Sequence, residues 1–210
     1  MVEHQLRRRG IGDRRVLTAM AAVPRELFVP PALRERAYED GALPIGLGQT
    51  ISQPYVVAAM CELLALRGNE RVLDVGTGSG YAAAVLAELA ADVVSIERIP
   101  QLAERARAAL HAAGYGRVDV RVGDGSLGAA DRAPYDAITV AAAVPEIPPA
   151  LVDQLAEDGR LVAPRGSRAS QRLVLVARTP EGLVEHGSMP CRFVPLLGAE
   201  GFGSGDQALG

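Results

Sequence analysis

The feature that most constrains this chain is the stretch Arg71-Val72-Leu73-Asp74-Val75-Gly76-Thr77-Gly78-Ser79-Gly80. An apolar run breaks into a glycine-rich turn, and an alanine-rich amphipathic segment follows from Tyr81 to Ala91. Strand, tight loop and helix in that order form the opening unit of a nucleotide-type α/β sheet. Glycine at positions 76, 78 and 80 lets the backbone turn through positive φ and lets a ligand approach main-chain atoms closely. The helix N-terminus behind the turn offers free N–H groups and a partial positive charge.

Spacing then selects among ligands. Dinucleotide sites use G-x-G-x-x-G, whereas this loop is G-x-G-x-G, one residue tighter. Asp74, just before the turn, is expected close to the ligand, where it would repel a pyrophosphate and attract a cationic amine. These residues resemble the first motif of the S-adenosylmethionine-dependent methyltransferases, whose cofactor carries an ammonium, a carboxylate and a sulfonium but no phosphate.

The rest of the chain supplies the sheet around this unit. Glu3 to Arg9 read as helical, and Asp13 as the N-cap of a second helix carrying Val16, Leu17 and Met20. Asp40 to Pro54 holds too many glycines and prolines for a regular element, yet is too apolar for a solvated linker, so it is expected as a packed functional loop. A helix is predicted over Tyr55–Leu66, ending at Gly68. Strand Val72–Val75, helix Tyr81–Ala91, strand Val93–Ile96, helix Gln101–Ala113 and strands Val118–Val122 and Ala137–Val140 then alternate. Pro148 is expected to open a helix carrying Leu151 and Leu155 and capped by Gly159. Strands Leu161–Ala163 and Leu173–Ala177 follow, with Met189 to Leu197 as an edge strand or extended segment. Such alternation predicts an α/β fold: a doubly wound, mostly parallel sheet with helices on both faces and an N-terminal helical extension. Residues 1–197 are expected to form one domain, with 1–68 as helices and substrate loop and 69–197 as the cofactor-binding core. The glycine-rich 198–210 reads as a poorly ordered tail.

Acids stand where a doubly wound sheet binds its ligands, outside the carboxyl ends of the strands. Glu97 ends the second core strand about twenty residues past Gly76, the offset at which a carboxylate takes a ribose diol. Asp124, beside Gly125, ends the third, placed to accept from an adenine amino group.

Further motifs narrow the family. Ala42-Leu43-Pro44-Ile45-Gly46, continuing as Gly48-Gln49-Thr50-Ile51-Ser52-Gln53-Pro54, resembles the signature of the protein-L-isoaspartate O-methyltransferases. So do Val23-Pro24-Arg25-Glu26-Leu27-Phe28-Val29-Pro30, Gly123-Asp124-Gly125, Pro145-Glu146-Ile147-Pro148 and Arg192-Phe193-Val194-Pro195-Leu196. The similarity runs from about Leu6 to Leu197. It implies a Rossmann-like class I methyltransferase that repairs proteins by methylating the α-carboxylate of L-isoaspartyl residues, using S-adenosyl-L-methionine and releasing S-adenosyl-L-homocysteine. It implies Ser52 as the active-site residue. It also implies Gln49, Thr50, Ile51, Asp74, Gly76, Thr77, Gly78, Ser79, Gly80, Glu97, Asp124, Gly125 and Ala141 around the cofactor. Phe193, Val194, Pro195 and Leu196 would lie beside the bound peptide. One departure is Ala141, where relatives often carry threonine or glycine. The alternative within the same chemistry is methylation of ordinary aspartate in a peptide natural product, leading to an aspartimide.

Composition bears mainly on what to exclude. Net charge is −3 and all 22 basic residues are arginine, a mildly acidic balance that argues against general nucleic-acid binding. The cluster Arg7, Arg8, Arg9, Arg14, Arg15 reads as solvated helical surface. Cys61 and Cys191 match no metal or redox spacing and read as reduced, packed thiols. No apolar run reaches the ~18 residues of a membrane span, and no signal peptide is evident, so a cytoplasmic enzyme, with a monomer favoured, is expected. His4, His111 and His186 lie outside every motif. No general base is required, because an α-carboxylate, with a reference pKa of about 3.3–3.7, is ionised at neutral pH.

Overall fold

A computed structural model describes residues 1–203. The N-terminus is helical as expected, but as a π-turn over Val2–Leu6 and a 3₁₀ turn over Arg7–Arg9, stopped by Gly10. Asp13 caps α1 (Arg14–Ala22), its carboxylate accepting the N–H groups of Arg15 and Val16 at 2.7 and 3.4 Å. The prolines at 24 and 31 confine the following chain to 3₁₀ turns over Arg25–Phe28 and Pro31–Arg36.

The loop before α2 holds more regular structure than its glycines and prolines suggest. Leu43–Gly46 (β1) and Gln49–Ile51 (β2) pair antiparallel, Leu43 opposite Ile51 and Gly46 opposite Gln49. The turn takes positive φ at both Leu47 (53°) and Gly48 (71°), the requirement of a tight two-residue hairpin. α2 (Pro54–Leu64) starts on proline and ends on Ala65 in the left-handed region, three residues short of Gly68.

The core then alternates through β3 (Arg71–Val75), α3 (Tyr81–Leu89), β4 (Asp92–Glu97), α4 (Pro100–Ala112), β5 (Asp119–Val122) and β6 (Tyr135–Val140). After α5 (Pro149–Asp153) come β7 (Leu155–Gly166), β8 (Gln171–Thr179) and β9 (Gly182–Cys191). Among the described residues the main sheet has seven strands in the order β5-β4-β3-β6-β7-β8-β9, parallel through β7 and antiparallel for β8 and β9. The central strands are buried on both faces, which explains their unbroken Val/Leu/Ile runs. Alternate residues serve opposite cores: Val72 packs with α1 to α4, Leu73 with β6, β7 and α5.

Three expectations need correction. The helix after Pro148 stops at Asp153, and Leu155 begins β7 instead of completing a helical face. Gly159 is no cap: it lies inside β7 next to Asp158 (φ 61°), where a register shift puts Leu155 opposite Tyr135 but Arg160 opposite Ala137. The edge strand is Gly182–Cys191, because β8 runs long enough to pair with it in a hairpin closed at Thr179–Gly182; of Met189–Leu197 only residues 189–191 belong to it, and residues 194–196 are extended chain. The tail is also more ordered than its composition suggests. Through residue 203 it packs back, with Ala199 N–H on Asp124 Oδ2 at 2.7 Å and Phe202 N–H on the Leu196 carbonyl at 2.8 Å. The remainder, 204–210, lies outside the described residues.

Candidate active site

Strand order reverses between β3 and β6, which are parallel neighbours in the sheet although β4 and β5 intervene in sequence. A crevice opens at such a switch point, beyond the carboxyl ends of the strands. Gly76–Ser79 from β3, Glu97 from β4 and Ala141 from β6 all line one cleft there. The loop conformation is the one the glycines were expected to permit, with φ of 93°, 54° and 90° at Gly76, Gly78 and Gly80. A Cβ at 76 would lie 3.6 Å from Ala141 Cβ, an ordinary contact, so it is the backbone conformation that calls for glycine there.

Four of the loop's main-chain donors are already engaged. Gly76 and Thr77 N–H both go to the Ile96 carbonyl at 2.8 and 3.1 Å, and Gly80 N–H goes to the Thr77 carbonyl at 2.8 Å. Glu97 Oε2 accepts Gly78 N–H at 2.8 Å, and Oε1 accepts Ile99 N–H at 2.9 Å. This loop therefore lacks the row of free amides with which a phosphate-binding turn holds its ligand. A carboxylate stands at its centre instead.

Asp74 sits lower than expected. It is fully buried and does not line the cleft. Its Oδ2 accepts from Ser95 Oγ at 2.7 Å, and Ser95 Oγ lies 2.5 Å from Thr77 Oγ1, so the acid supports the loop from beneath. Burial pushes its carboxyl up to about 6, against a lowering by Ser95 and with a further rise from Glu97. Its Oδ1 has no hydrogen-bond partner.

The facing wall is the hairpin, with Gln49, Thr50, Ile51 and Ser52 all on the cleft. A third wall is the extended chain of Val194, Pro195 and Leu196. It is tied beside Ala143, which donates to the Val194 carbonyl at 2.8 Å and accepts from Leu196 N–H at 2.7 Å.

Comparison with known proteins decides the family. The model of the protein-L-isoaspartate(D-aspartate) O-methyltransferase family matches residues 1–201. The chain belongs to that family. A protein-L-isoaspartate O-methyltransferase of Methanoculleus marisnigri is 58% identical over 205 residues, covering 96% of this chain and 92% of its own. Another from Syntrophobacter fumaroxidans is 58% identical over 202 residues, covering 96% and 94%. A solved protein-L-isoaspartate O-methyltransferase superimposes with a TM-score of 0.84 at 31% identity, over 96% of this chain and 67% of the other. A Plasmodium falciparum structure assigned to the same methyltransferases, in complex with S-adenosyl-L-homocysteine, gives 0.82 at 26% identity, over 93% and 96%.

Within this methyltransferase fold the other expected site residues fall in different places. Gly125 lines the cleft and has no room for a side chain, since a Cβ would lie 2.6 Å from Val75 Cγ1. Gly80 serves as the N-cap of α3 and does not face the cleft. The Asp124 carboxylate also stands off it: Oδ1 accepts from Ser126 N–H and Oγ at 2.9 and 2.7 Å, while Oδ2 takes Ala199 N–H. Burial raises this carboxyl, but the bonds from Ala199 and Ser126 outweigh that and hold it below its usual value. Phe193 likewise sits behind the peptide wall, its N–H on Gln171 Oε1 at 2.7 Å.

Three contributors had no role assigned from the sequence. Tyr81 lines the cleft from the first turn of α3, where it reads as one more residue of an apolar helix. Ser95 is one polar residue within a strand, and only the pairing of Asp74 with Ser95 in adjacent strands gives it a role. Arg25 is wholly buried behind Ser52, although its neighbours in sequence are compatible with a surface arginine.

Proposed function

We propose that this chain transfers the methyl group of S-adenosylmethionine to the α-carboxylate of L-isoaspartyl residues in damaged proteins and peptides. One observation carries the reading: a single cleft in a chain of this family has the glycine loop and Glu97 on one side and Ser52 on the other. The donor set fits the cofactor. Glu97 spends one lone pair of each oxygen on a main-chain N–H, which leaves acceptor positions for a ribose diol. The engaged amides offer nothing to a phosphate, and the cofactor has none. Thr77 and Ser79 edge the same loop, and Gly125, which lines the same cleft, is assigned to the adenine.

When bound, the cofactor supplies a methyl carbon activated by an adjacent sulfonium. The protein's part is orientation and dryness. Ser52 donates a hydrogen bond to the substrate carboxylate and aims one oxygen, while Ile51, Val194 and Leu196 keep water from the meeting point. No side chain has to remove a proton, because the carboxylate is already ionised. An isoaspartyl residue presents its α-carboxylate on a short arm, whereas the side-chain carboxylate of aspartate lies one methylene further from the path of the main chain. A site that aligns its nucleophile to within about half an ångström discriminates between these geometries.

No helix among the described residues is long and apolar enough to cross a membrane, and the proposed reading places the enzyme in the cytoplasm. We place the working unit at residues 1–197, acting as a monomer. Labelled methyl transfer to matched peptides containing isoaspartate or aspartate tests the reading. A base-labile methyl ester on the isoaspartyl peptide alone is expected. Equal rates on both peptides would replace repair with general aspartyl methylation, the chemistry of natural-product tailoring.

A further inference from the structure

We propose that Arg25 is a positioning residue that holds Ser52 in its working orientation from behind the cleft. The proposal rests on the role given to Ser52 above. Ser52 occupies a gap in regular structure, because β2 ends at Ile51 and α2 begins at Pro54. Two side chains hold that gap. Gln53 Nε2 donates to Asp40 Oδ1 at 2.8 Å, and Arg25 Nη2 donates to the Ser52 carbonyl at 2.8 Å. Fixing this carbonyl fixes the peptide plane leaving Ser52, and with it the direction in which the side chain departs from the backbone.

Arg25 is itself held rigidly. Its Nε donates to the Ala37 carbonyl at 2.7 Å, and its guanidinium carbon stands 4.6 Å from the centroid of the Tyr81 ring. Tyr81 opens α3 directly behind the glycine loop and also lines the cleft. One guanidinium thus bridges the N-terminal segment, the Ser52 turn and the base of the cofactor wall.

The arrangement is costly for a merely structural role. Arg25 is fully buried, no carboxylate forms an ion pair with it among the described residues, and its Nη1 has no partner. Glu26, adjacent in sequence, accepts from the Tyr38 hydroxyl instead. Burial lowers the Arg25 pKa, with partial relief from Tyr81 and Tyr38. An apolar side chain of similar volume would fill the space without desolvating a charge. What it could not do is donate to the Ser52 carbonyl.

The test compares wild type with Arg25→Met, Arg25→Lys, Ser52→Ala and the double variant Arg25→Met/Ser52→Ala. Misplacing a reacting group by about an ångström costs up to roughly a hundredfold, so Arg25→Met is expected to lower kcat about ten- to hundredfold. Affinity for S-adenosylhomocysteine should stay within about twofold, because Arg25 does not line the cleft. Arg25→Lys, which keeps a donor but loses the fork, should fall between the two and serves as the working variant should Arg25→Met fold poorly. If Arg25 acts through Ser52, the double variant turns over no more slowly than Ser52→Ala alone. Hydrogen exchange gives a readout independent of turnover: protection at residues 51–53 should drop in Arg25→Met while residues 76–80 keep theirs. Failure of the proposed reaction would appear in wild type as no isoaspartyl methylation. Failure of the Arg25 proposal would appear as unchanged turnover and exchange in Arg25→Met and Arg25→Lys, or as losses that multiply in the double variant.

Discussion

The glycine-loop wall of the cleft hangs from the middle of the main sheet, whereas the Ser52 wall is a two-strand hairpin whose Thr50 and Leu47 face solvent. On the first wall every fixed point is deep. Val75 and Asp74 are inaccessible, the loop amides bond to β4, and Glu97 locks Gly78. On the second, a ladder of three paired positions is too short to stand alone. It depends on Leu43, Ile45 and Ile51 packing into the helical core and on side chains that reach in from the N-terminal segment. The wall assigned to the cofactor is thus made by the fold, and the wall assigned to the substrate is fastened onto it. A repair enzyme gains from that division: the cofactor is constant, while the damaged chain varies around the isoaspartyl residue.

The sharpest test of the division is Ser52→Ala, which touches the fastened wall only. Turnover should fall about ten- to a thousandfold, since the lost group aims a nucleophile that needs no deprotonation. Cofactor affinity, measured by calorimetry with S-adenosylhomocysteine, should change less than about twofold. A comparable loss of affinity would mean that the two walls are not separable, and an unaffected rate would remove Ser52 from the mechanism.

The complementary variant is Glu97→Ala on the built-in wall. A hydrogen bond to a charged group is worth about 1.5–3 kcal/mol, so affinity for S-adenosylhomocysteine should weaken roughly ten- to hundredfold. The Gly78 and Ile99 amides lose their acceptor at the same time, so the loop should loosen. At saturating cofactor the preference for isoaspartyl over aspartyl peptide should survive. Its disappearance would place selectivity in the cofactor wall and overturn the comparison.

The same contrast governs how much of the molecule was legible in the sequence. The cofactor wall announced itself because strand, glycine turn, helix and strand-end acid are local patterns, each read from consecutive residues such as 71–80 and 93–97. The hairpin was obscured because Gly46, Leu47 and Gly48 take positive φ, and such residues look the same in a hairpin and in an irregular loop. Leu151 and Leu155 share a helical spacing, yet the pull of pairing with Tyr135 draws Leu155 into β7. The bond from Ala199 N–H to the Asp124 carboxylate is a contact across 75 residues that no local pattern encodes. Arg25 is the extreme case, since its burial is created by Ala37, Ser52 and Tyr81 together.

The built-in wall carries an electrostatic cost of its own, and this gives the smallest of the three expected effects. Asp74 is buried with one oxygen unpartnered, and its carboxyl is pushed up to about 6 from an ordinary 3.8. A carboxyl whose pKa is higher in the folded than in the unfolded chain binds its proton more tightly when folded. Its contribution to stability is therefore complete below about pH 4 and lost as pH rises toward 6, the reverse of the usual paired aspartate. The full shift corresponds to roughly 3 kcal/mol, of which relaxation around the charge should leave about 1–2 kcal/mol to be measured. Asp74→Asn removes the titrating group while keeping an oxygen for the Ser95 hydroxyl. Relative to wild type, the variant should gain about 1–2 kcal/mol of unfolding free energy between pH 4 and pH 7 in denaturant titrations, as wild type alone takes on the buried charge. Cofactor affinity should hold, because Thr77 remains tethered through Ser95. A variant whose stability tracks wild type at every pH would show that Asp74 pays no penalty for its place beneath the loop, and the rigidity of that wall would then have to come from the main-chain bonds to Ile96 and Glu97 alone.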